Sequence, residues 1–252
     1  MDISYDLIFF TLVSMRLTGC IIFNPILGRR NLPMSLKAGL ILILTLLVCS
    51  VAPMQAIEVV GLLHFFVLVI KELLIGFIVG LIVRMFFSIV SVGGEVIDMQ
   101  IGLSMAKAYD SQSESNSTIT ASLLNIMYMM IFFAANGHAT LMQIFVELAK
   151  ALPYDEFVIN ISSFEVVIRL FTLILLYSVK LALPILGVSL VTEVGVGLLM
   201  KAVPQINVFV INLQLKVLLG LVSIWLLVPT FAKFFDRMTI LIFDQIHGIM
   251  GV

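Results

Sequence analysis

The sequence predicts an all-α, multi-pass membrane protein. Three observations predict it: an excess of apolar residues, apolar runs long enough to cross a bilayer as helices, and charges set inside those runs. Of 252 residues, 62% are hydrophobic and 12% are charged, and the mean hydropathy is +1.21. A soluble domain is about half apolar and about a quarter charged, so the chain falls in the membrane class. The net charge of -1 offers no basic surface for nucleic acid.

The apolar runs follow one another as Leu7–Leu27, Leu36–Ala52, Val59–Val92, Ile119–Val146, Val166–Met200 and Ile206–Phe231, with a shorter amphipathic tail from Met238. A bilayer core of about 30 Å takes about 20 helical residues. The first run follows Asp2 and Asp6 with no basic region and no evident small-residue cleavage site, so a retained helix is expected there rather than a signal peptide. Val59–Val92 and Val166–Met200 would each exceed about 45 Å as single helices. Each is therefore a helix that leaves the bilayer, a strongly tilted one, or two segments. Pro184, in "KLALPILG", is expected to kink or break the fifth run. Arg29, Arg30 and Lys37 make the first loop cytoplasmic by the positive-inside rule, with the amino terminus outside. No repeat or low-complexity linker divides the chain, and one membrane domain, 1–252, is expected.

Lys71, Glu72, Arg84, Arg169, Lys180, Glu193 and Lys216 lie in or beside apolar runs. A charge at the centre of a lipid-facing helix costs roughly 2.5–3.5 kcal/mol. Single members of the set can snorkel to an interface. As a set they call for burial against protein or a watery channel. Lys71 and Glu72 are neighbours in sequence and point in different directions on a helix, so each is expected to find its partner elsewhere, including on another subunit. Small residues also point to helix–helix contact. Gly76 and Gly80 form a GxxxG pair that lets two backbones approach closely, and Gly187, Gly195 and Gly197 extend the theme in the fifth run.

The usual chemistry-bearing patterns are missing. His64, His138 and His247 are scattered with no HExxH neighbourhood, and neither a GxSxG motif nor a P-loop occurs. Cys20 and Cys49 lie inside apolar runs and read as two unbridged thiols. No metal cluster and no cofactor site is expected. Glu95 and Asp98, at i and i+3, can share a helix face and so hold a proton or a cation; two acids at a helix exit are otherwise solvated. In "ANGHA", a helix-weakening glycine stands between two polar residues of an apolar run, and His138 there is expected to cap or pack a turn.

The stretch "GGEVIDMQIGLSMAKAYDSQSESNST", Gly93–Thr118, begins as an apolar helix and ends in small polar residues. Its front carries a pattern, G-E-(I/V)-I-x-x-Q-x-G-(L/F)-S-x-A, matched from Gly94 to Ala106 through Glu95, Gln100, Gly102 and Ser104. N-G-H follows at Asn136, Gly137 and His138. P-Q-(I/L)-(N/S)-V-F follows at Pro204, Gln205, Ile206, Asn207, Val208 and Phe209. With these three motifs, at this spacing and length, the chain resembles the FliR/SctT family of type III secretion export-gate proteins, in its flagellar form. Many relatives read F-D-P where this chain has Tyr109, Asp110 and Ser111, which removes a rigid proline.

The resemblance implies a non-enzymatic subunit, built like a fusion of FliP and FliQ hairpins of long, kinked helices and assembled with both in a helical export gate. Unfolded flagellar subunits would pass through the centre, with FlhB around the entrance and FlhA beneath. The place implied is the bacterial inner membrane, at the flagellar basal body. It also implies that the polar tract of about 107–118 helps to plug the closed channel. Gly102, Ser104, Met105, Lys107, Tyr109, Asp110, Ser111 and Ser113 would be its residues, hydrated and able to yield to passing polypeptide. Gly102 suits a tight turn or a close helix contact. Met99, Met105, Met127, Met129 and Met130 would supply adaptable apolar surface, or plain helix packing. Lys71, Glu72, Arg84, Lys180 and Glu193 would meet companion subunits. Two alternatives stay open: an injectisome subunit of the SctT type, and a secondary transporter with a site near Pro184, Lys180 and Glu193. An intramembrane enzyme is disfavoured by the missing constellation.

Overall fold

A computed structural model of the chain describes residues 3–29, 31–51, 59, 61–104, 118–151, 154, 162–202 and 208–250. The regular elements there are helices: α1 Ile3–Ile22, α2 Met34–Val51, α3 Leu62–Ile101, α4 Ile119–Ala134, α5 Gly137–Ala151, α6 Ser162–Ala202 and α7 Val208–Met250. The expected all-α, multi-pass architecture is therefore observed. Four of the helices are long and apolar enough to cross a membrane, and α4 with α5 supplies a fifth, interrupted stretch.

The long runs resolve into long helices. α3 has 40 residues, α6 has 41 and α7 has 43, so each runs about 60 Å, twice a hydrocarbon core. The alternative that Pro184 breaks the fifth run is corrected, because α6 continues through it. Pro229 likewise lies inside α7, which joins the sixth run to the amphipathic tail. A proline removes one backbone hydrogen bond and crowds one carbonyl; the apolar turns on either side carry the helix through. The real interruption falls at Asn136, whose φ of +56° is left-handed. Its carbonyl then accepts the N–H groups of Ala139 and Thr140 as α5 begins at Gly137. Asparagine tolerates that backbone region better than most residues.

The chain divides into two compact units, and the long helices contribute to both. The first comprises residues 1–86, 136–170 and 240–252. In it α1 packs on α2 and α5, and α2 packs on α5. One face of α1 is buried: Phe9, Leu12, Val13, Leu17 and Cys20, the i, i+3, i+4, i+7 spacing of an amphipathic stripe. Helix α1 also meets α3 backbone to backbone. A Cβ on Gly19 would strike the Leu73–Phe77 backbone, one on Gly76 would strike Arg16 O, and one on Gly80 would press on Gly19 and Phe23. The sequence-read GxxxG pair is thus an intrachain contact, completed by a glycine of α1.

The second unit comprises residues 87–135 and 171–239. Its aromatic core sets Tyr128 between Phe87, at 4.6 Å, and Phe235, at 5.1 Å. Gly93 leaves no room for a Cβ against Leu181 of α6, and Gly94 none against Ala121 of α4. Gly187, Gly195 and Gly197, by contrast, face open space. They do not mediate packing within the chain as Gly76 and Gly80 do.

Candidate functional site

Arg16 and Glu72 form the most buried ion pair of the first unit, with side-chain exposures of 0% and 1%. Arg16 Nε donates to Glu72 Oε2 at 2.6 Å, and Nη1 donates to Leu148 O at 2.9 Å. Leu148 belongs to the last turn of α5, where intrahelical donors run out. The guanidinium lies 4.0 Å from the centroid of the Tyr154 ring, and Phe9 meets that ring edge-on at 5.2 Å. Burial pushes the Tyr154 phenol up from its ordinary range, so the ring offers the cation a neutral face. One side chain thereby ties α1, α3, α5 and Tyr154 together.

Arg16 is absent from the charges expected to need burial, yet a signal for it exists. It falls in the register 9, 12, 13, 16, 17, 20 of the buried stripe, and Glu72 falls in 68, 72, 75, 79. A charge in register with a core stripe has to be paired inside. Glu72 does find its partner elsewhere than Lys71, but its expected place among the charges that meet companion subunits is corrected: the partner, Arg16, is in the same chain.

The other expected charges behave differently. Lys71 is half-buried, and Arg84 and Arg169 are exposed. Lys180 is exposed, with its Nζ 5.0 Å from the Tyr177 ring of its own helix. Glu193 accepts a hydrogen bond from Lys216 Nζ, and this pair stays open, at 42% and 17% exposure. Val191, Val194 and Leu198 around it are exposed too.

The family-motif residues fall into three groups. Gly94 is buried against α4, Glu95 is exposed and Gln100 is half-buried. Gly102 ends α3 with a φ of +87°, so the turn needs glycine, and a Cβ there would also press on the end of the Leu213 side chain. Ser104 is half-buried. Asn136 breaks the helix, Gly137 is buried beside it, and His138 is exposed in the first turn of α5. Met105, Lys107, Tyr109, Asp110, Ser111, Ser113, Pro204 and Gln205 lie outside the described residues, as does the side chain of Phe209.

Glu95 and Asp98 do not make a carboxylate pair. Asp98 is fully buried while Glu95 faces out, which corrects the expectation of two solvated acids. Both Asp98 oxygens are used, one by Thr120 N at 2.8 Å and the other by the Thr120 hydroxyl. Among the described residues, no group of three or more His, Cys, Asp or Glu side chains is placed to hold a metal ion. Cys20 is buried, Cys49 is half-buried, and both are free thiols.

Comparison with known proteins assigns the architecture. Residues 7–241 match the family described as bacterial export proteins, family 1. The chain belongs to this family. Among its relatives, the flagellar biosynthetic protein FliR of Escherichia coli K12 is 30% identical over 239 residues, covering 94% of this chain and 90% of its own. FliR of Pectobacterium carotovorum is 27% identical with the same coverage, and FliR of Bacillus subtilis is 24% identical over 85% of this chain and 84% of its own. The export-protein match begins inside α1 and ends inside α7, takes in the helices between them, and includes both buried carboxylates, Glu72 and Asp98.

Proposed function

We propose that the chain is a non-enzymatic subunit of the flagellar type III protein export gate. It would form, with FliP and FliQ, the channel through which unfolded flagellar subunits leave the cell. In this reading it acts as one export-gate domain over 1–252, in the cytoplasmic membrane at the flagellar basal body, with FlhB around the entrance and FlhA beneath. The observation that carries the reading is the near full-length likeness to flagellar FliR proteins within an export-protein family. The same likeness favours the flagellar over the injectisome reading. Against a solute transporter, Glu193 and Lys216 are spent on each other, and Pro184 opens no broken helix for a substrate.

The exposed charges fit a subunit of a larger assembly. Arg84, Lys180 and Glu193 stand on apolar helices, Lys71 is half-buried on one, and lipid is a poor solvent for all four. Companion subunits would cover them, along with the open glycine face of α6. The polar tract of about 107–118 would help to plug the closed channel.

Two measurements test the reading. Co-expression with FliP and FliQ should yield one large heteromeric complex, and a chain that purifies equally well alone, as a solute-binding homo-oligomer, overturns it. Deleting Ser111–Ser117 should admit small ions while export continues in part. Gly102→Val should instead hinder assembly or loop closure, because a β-branched residue resists positive φ. A deletion that assembles normally and leaks no more than wild type returns the tract to a plain connection between helices.

A further inference from the structure

Helix α2 differs from the long helices in length and in charge. Its 18 residues span about 27 Å, close to a hydrocarbon core, whereas α3, α6 and α7 run to about twice that. One face, with Leu44, Thr45 and Val48, is buried, and α2 packs on α1 and α5. The outward face is apolar along the helix: Leu36, Leu42, Ile43, Leu46, Leu47 and Val51 are exposed. Lys37, in the first turn, is the one charged residue of α2. Lipid can therefore cover this helix without burying a charge, and the turn that precedes it then lies at headgroup depth.

That turn is built to hold its shape. Asn24 is buried; its Oδ1 accepts the N–H groups of Ile26 and Leu27 at 2.8 and 3.3 Å, and its carbonyl accepts the Gly28 N–H at 2.8 Å. A Cβ on Gly28 would strike the carbonyl oxygens of Ile22 and Asn24. Two cations are fastened to the turn. Arg29 Nε donates to Pro25 O at 3.3 Å, and Lys37 Nζ donates to Gly28 O at 3.1 Å. Both acceptors are neutral, and each cation keeps further N–H donors. Neither forms an ion pair among the described residues, and the sequence holds no acidic residue from Leu7 to Ile57. The positive end of the α2 dipole adds to the same field. We propose that Arg29 and Lys37 form a docking site for the headgroups of anionic phospholipid, with the outward face of α2 against the acyl chains. A phosphodiester supplies the missing negative charge, and its unesterified oxygens accept the remaining N–H groups. The positive-inside rule puts this loop on the cytoplasmic side, where an anionic leaflet attracts basic side chains. The site is independent of the export-gate reading.

Native mass spectrometry of the full chain in a neutral detergent tests this, with phosphatidylglycerol as the probe and phosphatidylcholine as the reference. At low salt the chain should retain phosphatidylglycerol in preference. Arg29→Gln with Lys37→Gln should weaken that binding about 30-fold, a factor of roughly five for each cation. Phosphatidylcholine binding and the unfolding midpoint should stay unchanged, because glutamine can still donate to the turn carbonyls. Should the double variant not fold, Arg29→Gln alone, at an exposed position, should show the loss of roughly fivefold. Arg169→Gln with Lys201→Gln removes the same charge from exposed positions on α6 and should keep the preference. Equal retention of the two lipids by the wild-type chain overturns the proposal and needs no variant. So does a folded Arg29→Gln, Lys37→Gln chain that binds phosphatidylglycerol as tightly as wild type. An equal loss in the α6 variant overturns it by reducing the effect to net charge. Glycerol phosphate that competes as well as the lipid would make this a site for soluble phosphate and overturn the lipid assignment. A preference kept by the chain alone but lost in its complex with FliP and FliQ would put an acidic partner segment on the cations, and overturns it too.

Discussion

Arg16–Glu72 and Glu193–Lys216, one ion pair in each compact unit, solve the same problem in opposite ways. Arg16–Glu72 is closed: its groups are withdrawn from solvent, Arg16 Nη1 donates to a helix-end carbonyl, and the guanidinium lies over an aromatic ring. Glu193–Lys216 is open: the carboxylate keeps 42% of its surface and stands among exposed valines and leucines. A closed pair belongs to the folding of a single chain, because removing either partner strands a charge where nothing can solvate it. An open pair on an apolar helix is the kind that the proposed assembly would cover. The glycines divide in the same way, though not by unit. Gly19, Gly76 and Gly80 in the first unit, and Gly93 and Gly94 in the second, are used up in packing, whereas Gly187, Gly195 and Gly197 meet nothing.

The strongest way to break this comparison is to strand the closed charge. Glu72→Ala should destabilise the chain by about 3–5 kcal/mol, read as loss of folded, monodisperse protein or a collapse of its unfolding midpoint in detergent. The double variant Arg16→Met with Glu72→Met should recover most of that loss, since an apolar pair of similar volume can replace a buried ion pair at little cost. A double variant as unstable as the single would mean that the bonds to Leu148 and Tyr154, not charge burial, carry the site.

A milder probe is the backbone contact beside the pair. Gly76→Val would drive a side chain into the α1 backbone, and overpacking of this kind costs typically about 1–3 kcal/mol. The same change at Gly187, where nothing lies within reach of a Cβ, should leave the stability of the isolated chain unchanged. Equal losses at both positions would erase the distinction between used and unused glycines.

The smallest effect on the chain itself is expected at the open pair. Glu193→Gln should change the stability of the isolated chain by at most about 1 kcal/mol, the range of exposed ion pairs, yet lower the yield of complex with FliP and FliQ. Thermal unfolding of the chain and co-purification of the complex separate the two. A loss of chain stability as large as that of Glu72→Ala would show that the open pair is structural.

Composition and the length of the apolar runs were enough to establish a helical membrane chain, because the cost of exposing backbone and charge in lipid leaves few alternatives. Local sequence also marked a weak point at Gly137, next to the break at Asn136, and a tight turn or close contact at Gly102, where backbone conformation depends on the residue itself. It left open a break at Pro184 that the structure does not have, because a proline weakens a helix locally while its persistence is settled by the whole length around it. It could not pair Glu72 with Arg16, 56 residues away, or see that Asp98 turns from its neighbour Glu95 toward Thr120. Both carboxylates lie in register with a buried stripe, so the sequence determined that each had to be satisfied inside the protein. Which donor satisfies it depends on which helices touch and at what height, and only the tertiary structure decided that.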